Sequence, residues 1–215
     1  MGTDIYGAIE VRDLIGAAAL DGPLDADPHN EAPWVRCMDL YPLYPGGDYQ
    51  PLGCLFGIRN WNGWEPVAEG RGLPADVSEA VRKEYEHDAE IDRAIGGSTW
   101  VSWSELRALD MSVTPLARGV LEINENGSSL YHCYRVEDEW PADVVAEYGQ
   151  PMVGESPITA AYGSWQHGAT TLTYKRVTRN DVLGTGTGWD HVFAIMRSLA
   201  KRFGEEGVRL VVWFD

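Results

Sequence analysis

At 215 residues, with 44% apolar and 11% aromatic content, the chain suits one substantial core and is not that of a disordered or low-complexity protein. A formal net charge of −16 disfavours direct binding to nucleic-acid phosphates or anionic membranes, and no apolar stretch approaches the roughly 20 residues that span a bilayer. The first residues alternate instead of forming a basic segment followed by an apolar one, so a soluble cytoplasmic protein is expected, with Cys37, Cys54 and Cys133 as buried free thiols.

Residues 1–12 put Ile5, Ile9 and Val11 on one face, the pattern of a strand with one buried side. Residues 13–33 are rich in Ala, Gly, Asp and Pro without a sustained period and read as a surface excursion. Trp34 to Leu40 alternates again and is expected to pair with the first strand, since sequential strands often neighbour in space. Prolines and glycines make 41–51 a loop, followed by a short helical turn at Leu52, Leu55 and Phe56. Asn60 to Leu73 is another loop, with Trp61 and Trp64 beside Asn-Gly and Gly-Arg-Gly punctuation.

Pro74 to Ile95 carries helix signals: Asp76 or Ser78 as cap, Ala80, Val81, Tyr85 and Ala89 on one face, and Gly96-Gly97 as a stop. Ser102 stands three residues before Glu105, a capping-box spacing that opens a short helix through about Asp110. Val120–Ile123 and Leu130–Val136 flank Asn124-Glu125-Asn126-Gly127 and predict a hairpin around an Asn-Gly turn. A short helix over 141–148 and a strand over 169–178 follow. From Trp189 to Phe203, Val192, Ile195, Met196, Leu199 and Phe203 recur at helical spacing, which makes this the strongest helix in the chain. Val208 to Phe214 is almost continuously apolar and suits a strand covered on both faces. The expected architecture is α+β: one globular domain over 1–215 with a single mixed or mainly antiparallel sheet, helices packed on it and both termini in strands. Terminal strands of this kind suggest a complete domain rather than a fragment with tails.

Gly184-Thr185-Gly186-Thr187-Gly188 precedes the strongest helix, where backbone N–H groups can hold an anion. It lacks the lysine and the spacing of a phosphate loop, so a connector with Thr187 as N-cap is the plainer reading. The histidines His29, His87, His132, His167 and His191 show no metal-ligand spacing except the adjacent His132-Cys133, whose side chains leave a strand on opposite faces. No metal and no cofactor is expected. Glu84 and Asp88 share a helical face, as weak cation holders or as solvated charge. No nucleophile elbow or cysteine signature is present. Of nine tryptophans, Trp61, Trp64, Trp100, Trp103, Trp140 and Trp165 fall in or beside loops, where rings either fill the core or wall a site. Asp4 and Asp215 would meet if the first and last strands are antiparallel, the minimum equipment for acid–base work or a divalent cation; surface solvation is the alternative.

Met1-Gly2-Thr3-Asp4-Ile5-Tyr6, Leu55 to Asn60, Glu69 to Ser78, Trp100 to Leu106 and Val208 to Asp215 resemble, in order, stretches of an uncharacterised protein family of phages and actinobacteria. Its members open Met-Gly-Cys-Asp-Ile-His and end near Val-Arg-Ile-Val-Phe-Trp-Phe-Asp. The family has no settled activity, so the resemblance implies a context and not a reaction. Tyr6 stands where relatives often carry His, and Gly96-Gly97-Ser98-Thr99 stands in place of a His-Ser-His stretch. A metal site built on those histidines in relatives would be lost here. Asp4, Arg59, Asn60, Arg71 and Asp76 occupy matching positions, all at element ends, where sites usually sit.

The leading functional expectation is a cytoplasmic phage-like accessory or binding protein. It would engage a protein partner or small ligand through an acidic, aromatic-rich surface, with Tyr6, Trp61, Trp64 and Trp103 as candidate ligand contacts. A competing expectation is a small hydrolase or transferase, with Asp4, Arg59, Asn60 and Arg71 as candidate catalytic residues in a pocket walled by Trp61 and Trp64. A third is an acidic nuclease inhibitor that mimics nucleic acid with the carboxylates between Asp76 and Asp92 and between Glu137 and Glu147.

Overall fold

The computed structural model describes residues 3–12, 33–125, 131–152 and 156–215, with backbone alone for 131–134. In it, β1 (Ile5–Arg12) pairs antiparallel with both β2 (Trp34–Asp39) and β8 (Val208–Phe214). β8 pairs antiparallel in turn with β3 (Gly97–Ser102), giving the order β2-β1-β8-β3. Gly7 makes the β1–β8 approach possible: its φ is 154°, and a Cβ there would stand 2.2 Å from the Val211 carbonyl oxygen.

Alternation along β8 sends Val211 and Trp213 to one face of this sheet and Val212 and Phe214 to the other. On the first face, α2 (Glu79–Ile91) brings Val81 against Ala8, Val211 and Trp213. On the second lie α1 (Tyr49–Phe56) and α6 (Trp189–Phe203), the Phe56 ring 5.6 Å from Phe214 and 6.0 Å from Trp189. α3 (Trp103–Arg107) and a 3-10 turn at Glu205–Gly207 complete the layer. All of β8 is buried, as its apolar run predicts. β1 differs from the one-sided reading: Ala8 to Val11 is buried on both faces, because the strand is central and carries a layer on each side.

These elements form a first compact unit drawn from residues up to Arg59, Pro66–Leu109 and Leu183–Asp215. Asn60–Glu65 and Asp110–Val182 form a second. It holds a sheet of order β5-β4-β7-β6, all antiparallel, built from β4 (Gly119–Glu125), β5 (Tyr131–Val136), β6 (Tyr162–His167) and β7 (Thr170–Arg176). Leu121, Ile123, Leu172 and Tyr174 line one face and pack with Trp140 and with Val144 of α4 (Ala142–Tyr148). A short α5 (Arg179–Leu183) follows β7.

The α+β class is as expected, but two antiparallel sheets replace the single sheet. β3, β6 and α5 have no counterpart in the sequence reading, the two strands being short and, at Gly97-Ser98 and Gly163-Ser164, poor in β-formers. α2 is shorter than 74–95. The Ser78 hydroxyl accepts from the Val81 amide and starts it, and an extended Asp92 (φ −118°) ends it before the glycines. α3 carries the full capping box between Ser102 and Glu105 but stops at Arg107; Asp110 instead accepts from the Ser112 amide and hydroxyl in a turn of its own. α6 spans the predicted residues, yet its cap is Gly188, and Thr187 donates its hydroxyl to the Gly184 carbonyl. Cys54 is buried but Cys37 is exposed, because β2 is an edge strand. The Asn126-Gly127 turn, the bulk of the 13–33 excursion and the Cys133 side chain lie outside what is described.

Candidate functional site

The face of the first sheet that carries Val211 and Trp213 continues toward the start of β8, where the next residue on that side is Arg209. Glu10 of β1 stands directly opposite it. Both side chains are out of solvent, and Arg209 Nε donates to Glu10 Oε2 at 2.8 Å. The other Glu10 oxygen accepts the Ser78 amide at 2.8 Å, so the buried carboxylate also sits at the N-terminus of α2, where the helix dipole favours it.

Arg209 engages its two remaining nitrogens with Asp76: Nη1 donates to Oδ1 at 2.7 Å and Nη2 to the backbone carbonyl at 3.1 Å. Asp76 Oδ2 accepts the Trp34 indole N–H at 2.9 Å and has Arg12 Nη2 at 3.7 Å. Two guanidiniums lie over the Trp34 ring, Arg209 at 3.9 Å and Arg12 at 4.7 Å from its centroid. Burial acts to raise the Asp76 carboxyl, but the bond and charge of Arg209, helped by the Trp34 indole, outweigh it and hold the group below the usual carboxylate range.

β3 supplies the other wall with Trp100 and Ser102. Arg71 forks onto Glu105, Nη2 to Oε1 at 2.7 Å and Nη1 to Oε2 at 3.1 Å, and donates to the carbonyls of Trp100 (3.2 Å) and Val67 (2.9 Å). Its guanidinium stands 5.2 Å from the Trp100 centroid. Burial pushes the Glu105 carboxyl up, and Arg71 and the Ser102 donors pull it down further, below its ordinary value. Between these walls is an open cavity of about 760 Å³, rimmed by Phe203 and the Gly204–Gly207 turn with its carboxylates Glu205 and Glu206. Its size is that of a small-ligand pocket.

Comparison of the chain with family models, with curated proteins and with solved structures finds no match. The site therefore rests on its own geometry.

Asp4 and Asp215 do meet, as antiparallel strands require: the Asp4 amide donates to Asp215 Oδ1 at 2.6 Å. Tyr6, partly exposed, lies beside them with Asp88 and Asp92; burial first and then these four carboxylates raise its phenol. Arg59, at a left-handed φ of 49°, donates to the Thr3 hydroxyl at 3.0 Å and so belongs to the same end of the sheet. Arg71 belongs to the opposite end, since Gly97 pairs with Phe214 but Ser102, next to Glu105, pairs with Arg209. Asn60, Trp61 and Trp64 are residues of the second unit. There the Asn60 side chain closes a loop, giving and taking hydrogen bonds at the Trp64 carbonyl and amide, both 2.8 Å. Trp64 and Trp103 are buried, the latter under Arg197, while Trp61 is 61% exposed and its carbonyl accepts from Arg135. Among the described residues no group of three or more His, Cys, Asp or Glu is placed to hold a metal ion, and no helix is long and apolar enough to cross a membrane.

Glu10, Arg12, Trp34 and Arg209 were not singled out by the sequence. The available signal was at Arg209, a charge that interrupts an apolar run; Glu10, between Ile9 and Val11, falls on the face that alternation leaves to solvent and gave none.

Proposed function

We propose that the chain is a cytoplasmic binding or accessory protein of phage-like type, which takes a small ligand, or a side chain of a protein partner, into the first-unit cleft. The observation that carries this reading is the cleft itself: a cavity of about 760 Å³ whose Trp34 and Trp100 walls are fixed by an ion-pair lattice through Glu10, Asp76, Arg209, Arg71 and Glu105. Such a lattice holds aromatic side chains in one position before the ligand arrives, which lowers the ordering cost of binding.

The hydrolase or transferase reading is less well supported. Asp4 and Arg59 serve one end of the sheet and Arg71 the other; the guanidiniums of Arg59 and Arg71 are engaged in holding backbone or a neighbouring side chain, and Asp4 meets Asp215 through its backbone amide.

A thermal-shift series tests the binding reading. Four probes, argininamide, adenosine, methyl glucoside and inorganic pyrophosphate, are added separately to the wild type and to Trp100→Leu. At least one is expected to raise the wild-type midpoint and to do so far less in the variant. A set of four flat responses, or equal responses in the two proteins, contradicts the reading.

A further inference from the structure

We infer that the cleft selects an organic cation, an ammonium or guanidinium group, and rejects anions; the inference rests on the cleft being the binding site. The arginines that line it look at first like an anion site. Their hydrogen bonds say otherwise. All three nitrogens of Arg209 are engaged with Glu10 and Asp76, and both terminal nitrogens of Arg71 are engaged with Glu105 and two backbone carbonyls. Arg12 reaches toward Asp76 from above the Trp34 ring. A phosphate or carboxylate ligand would have to displace carboxylates already bound in forked, charge-assisted geometry, one of them buried.

The carboxylates exceed the cations that meet them. Glu10, Asp76, Glu105, Glu205 and Glu206 are five, against the four guanidiniums of Arg12, Arg71, Arg209 and Arg107, the last paired with Glu205. Glu206 is exposed on the rim and makes no ion pair with a described cation. Glu206 and the half-buried indole of Trp100 line the same cavity; Arg71 and Arg209 already stand 5.2 and 5.9 Å from the Trp100 centroid, so it is the Glu206 charge that is left to hold a ligand cation. The net charge of −16 draws the same class of ligand toward the molecule and repels its opposite.

The cation can belong to a free small molecule or to an arginine or lysine side chain of a partner. Titration calorimetry with argininamide, with a short peptide carrying one central arginine, and with inorganic pyrophosphate separates these. Both cationic probes are expected to bind, with equal affinity if the natural ligand is free and with the peptide tighter if it is a partner's side chain; pyrophosphate gives no heat of binding. Glu206→Gln, which alters an exposed residue, weakens the cationic probes about fivefold. Arg107→Gln, which releases Glu205 from its ion pair, tightens them by a similar factor, a gain that misfolding cannot imitate. Pyrophosphate binding, or argininamide binding that neither variant changes, overturns the inference. Adenosine or methyl glucoside binding in place of argininamide overturns it too while leaving the cleft as a binding site, whereas no binding by any probe removes both.

Discussion

Glu10 and Arg209 face one another across the β1–β8 pair with Nε and Oε2 2.8 Å apart and both side chains shut off from water. Two charges in the middle of an antiparallel sheet are costly to desolvate, and they persist because every polar atom of the pair that is turned toward the cleft has a partner. The pair is thereby a structural anchor of the cleft, which sets Asp76 and through it the Trp34 ring.

Breaking one side of the pair leaves the other charge buried without compensation. Glu10→Gln or Arg209→Met is expected to lower the unfolding free energy by about 3–5 kcal/mol. The double variant should recover a large part of that loss, because neither charge remains buried alone. Urea unfolding of the four proteins measures this; additive losses would show that the two residues act separately.

Capping of α3 gives a second expectation. The Ser102 hydroxyl accepts from the Glu105 amide and donates to the Glu105 carboxylate, which in turn holds Arg71. Ser102→Ala should cost about 1–2 kcal/mol by loss of the cap. It should also weaken whatever the cleft binds, since Arg71 and Trp100 lose their fixed neighbour. A variant destabilised by this amount with unchanged ligand affinity would separate the cap from the cleft wall.

Acid response follows from the carboxylates held low. Asp76 and Glu105 both titrate below their ordinary values in the folded protein. A group of this kind adds stability that is complete above its unfolded value, about pH 4, and is lost as pH falls through the lower folded value. The thermal midpoint is therefore expected to fall below about pH 4, and to fall less steeply in Asp76→Asn. Parallel acid limbs for the two proteins would contradict the account of Asp76.

Close packing of β1 on β8 allows one further expectation. At Gly7 a Cβ would stand 2.2 Å from a backbone oxygen that cannot move without parting the strands. Gly7→Ala is expected to yield little folded protein, read by circular dichroism and by a broad, low unfolding transition. A cooperative transition at the wild-type midpoint would show that the sheet has slack there.

The elements that could be read from sequence are those whose pattern is local. The helical recurrence from Val192 to Phe203, the Ser102–Glu105 box and the apolar run of β8 each predict the element found. β3 and β6 were not legible, because glycine and serine dilute their pattern; β3 in addition takes its strand character from pairing with Val212 far along the chain, whereas β6 pairs with the adjacent β7. The split into two sheets is equally non-local. Of the site residues, Asp76 and Arg71 could be singled out as polar residues at element ends. Glu10, Arg12, Trp34 and Arg209 are brought together only by the register of β2, β1 and β8, which no short-range pattern specifies.

The indole N–H resonances give the most direct test of the cleft as the binding site. The Trp34 signal reports on the bond to Asp76 and the Trp100 signal on the opposite wall, each assigned from the peak lost in Trp34→Phe and in Trp100→Phe. On titration with argininamide these two peaks are expected to move together along one saturable curve, while those of the fully buried Trp189 and Trp213 of the same unit stay in place. Saturable movement confined to other indoles, such as the exposed Trp61, with Trp34 and Trp100 fixed, would place the ligand elsewhere and contradict the account.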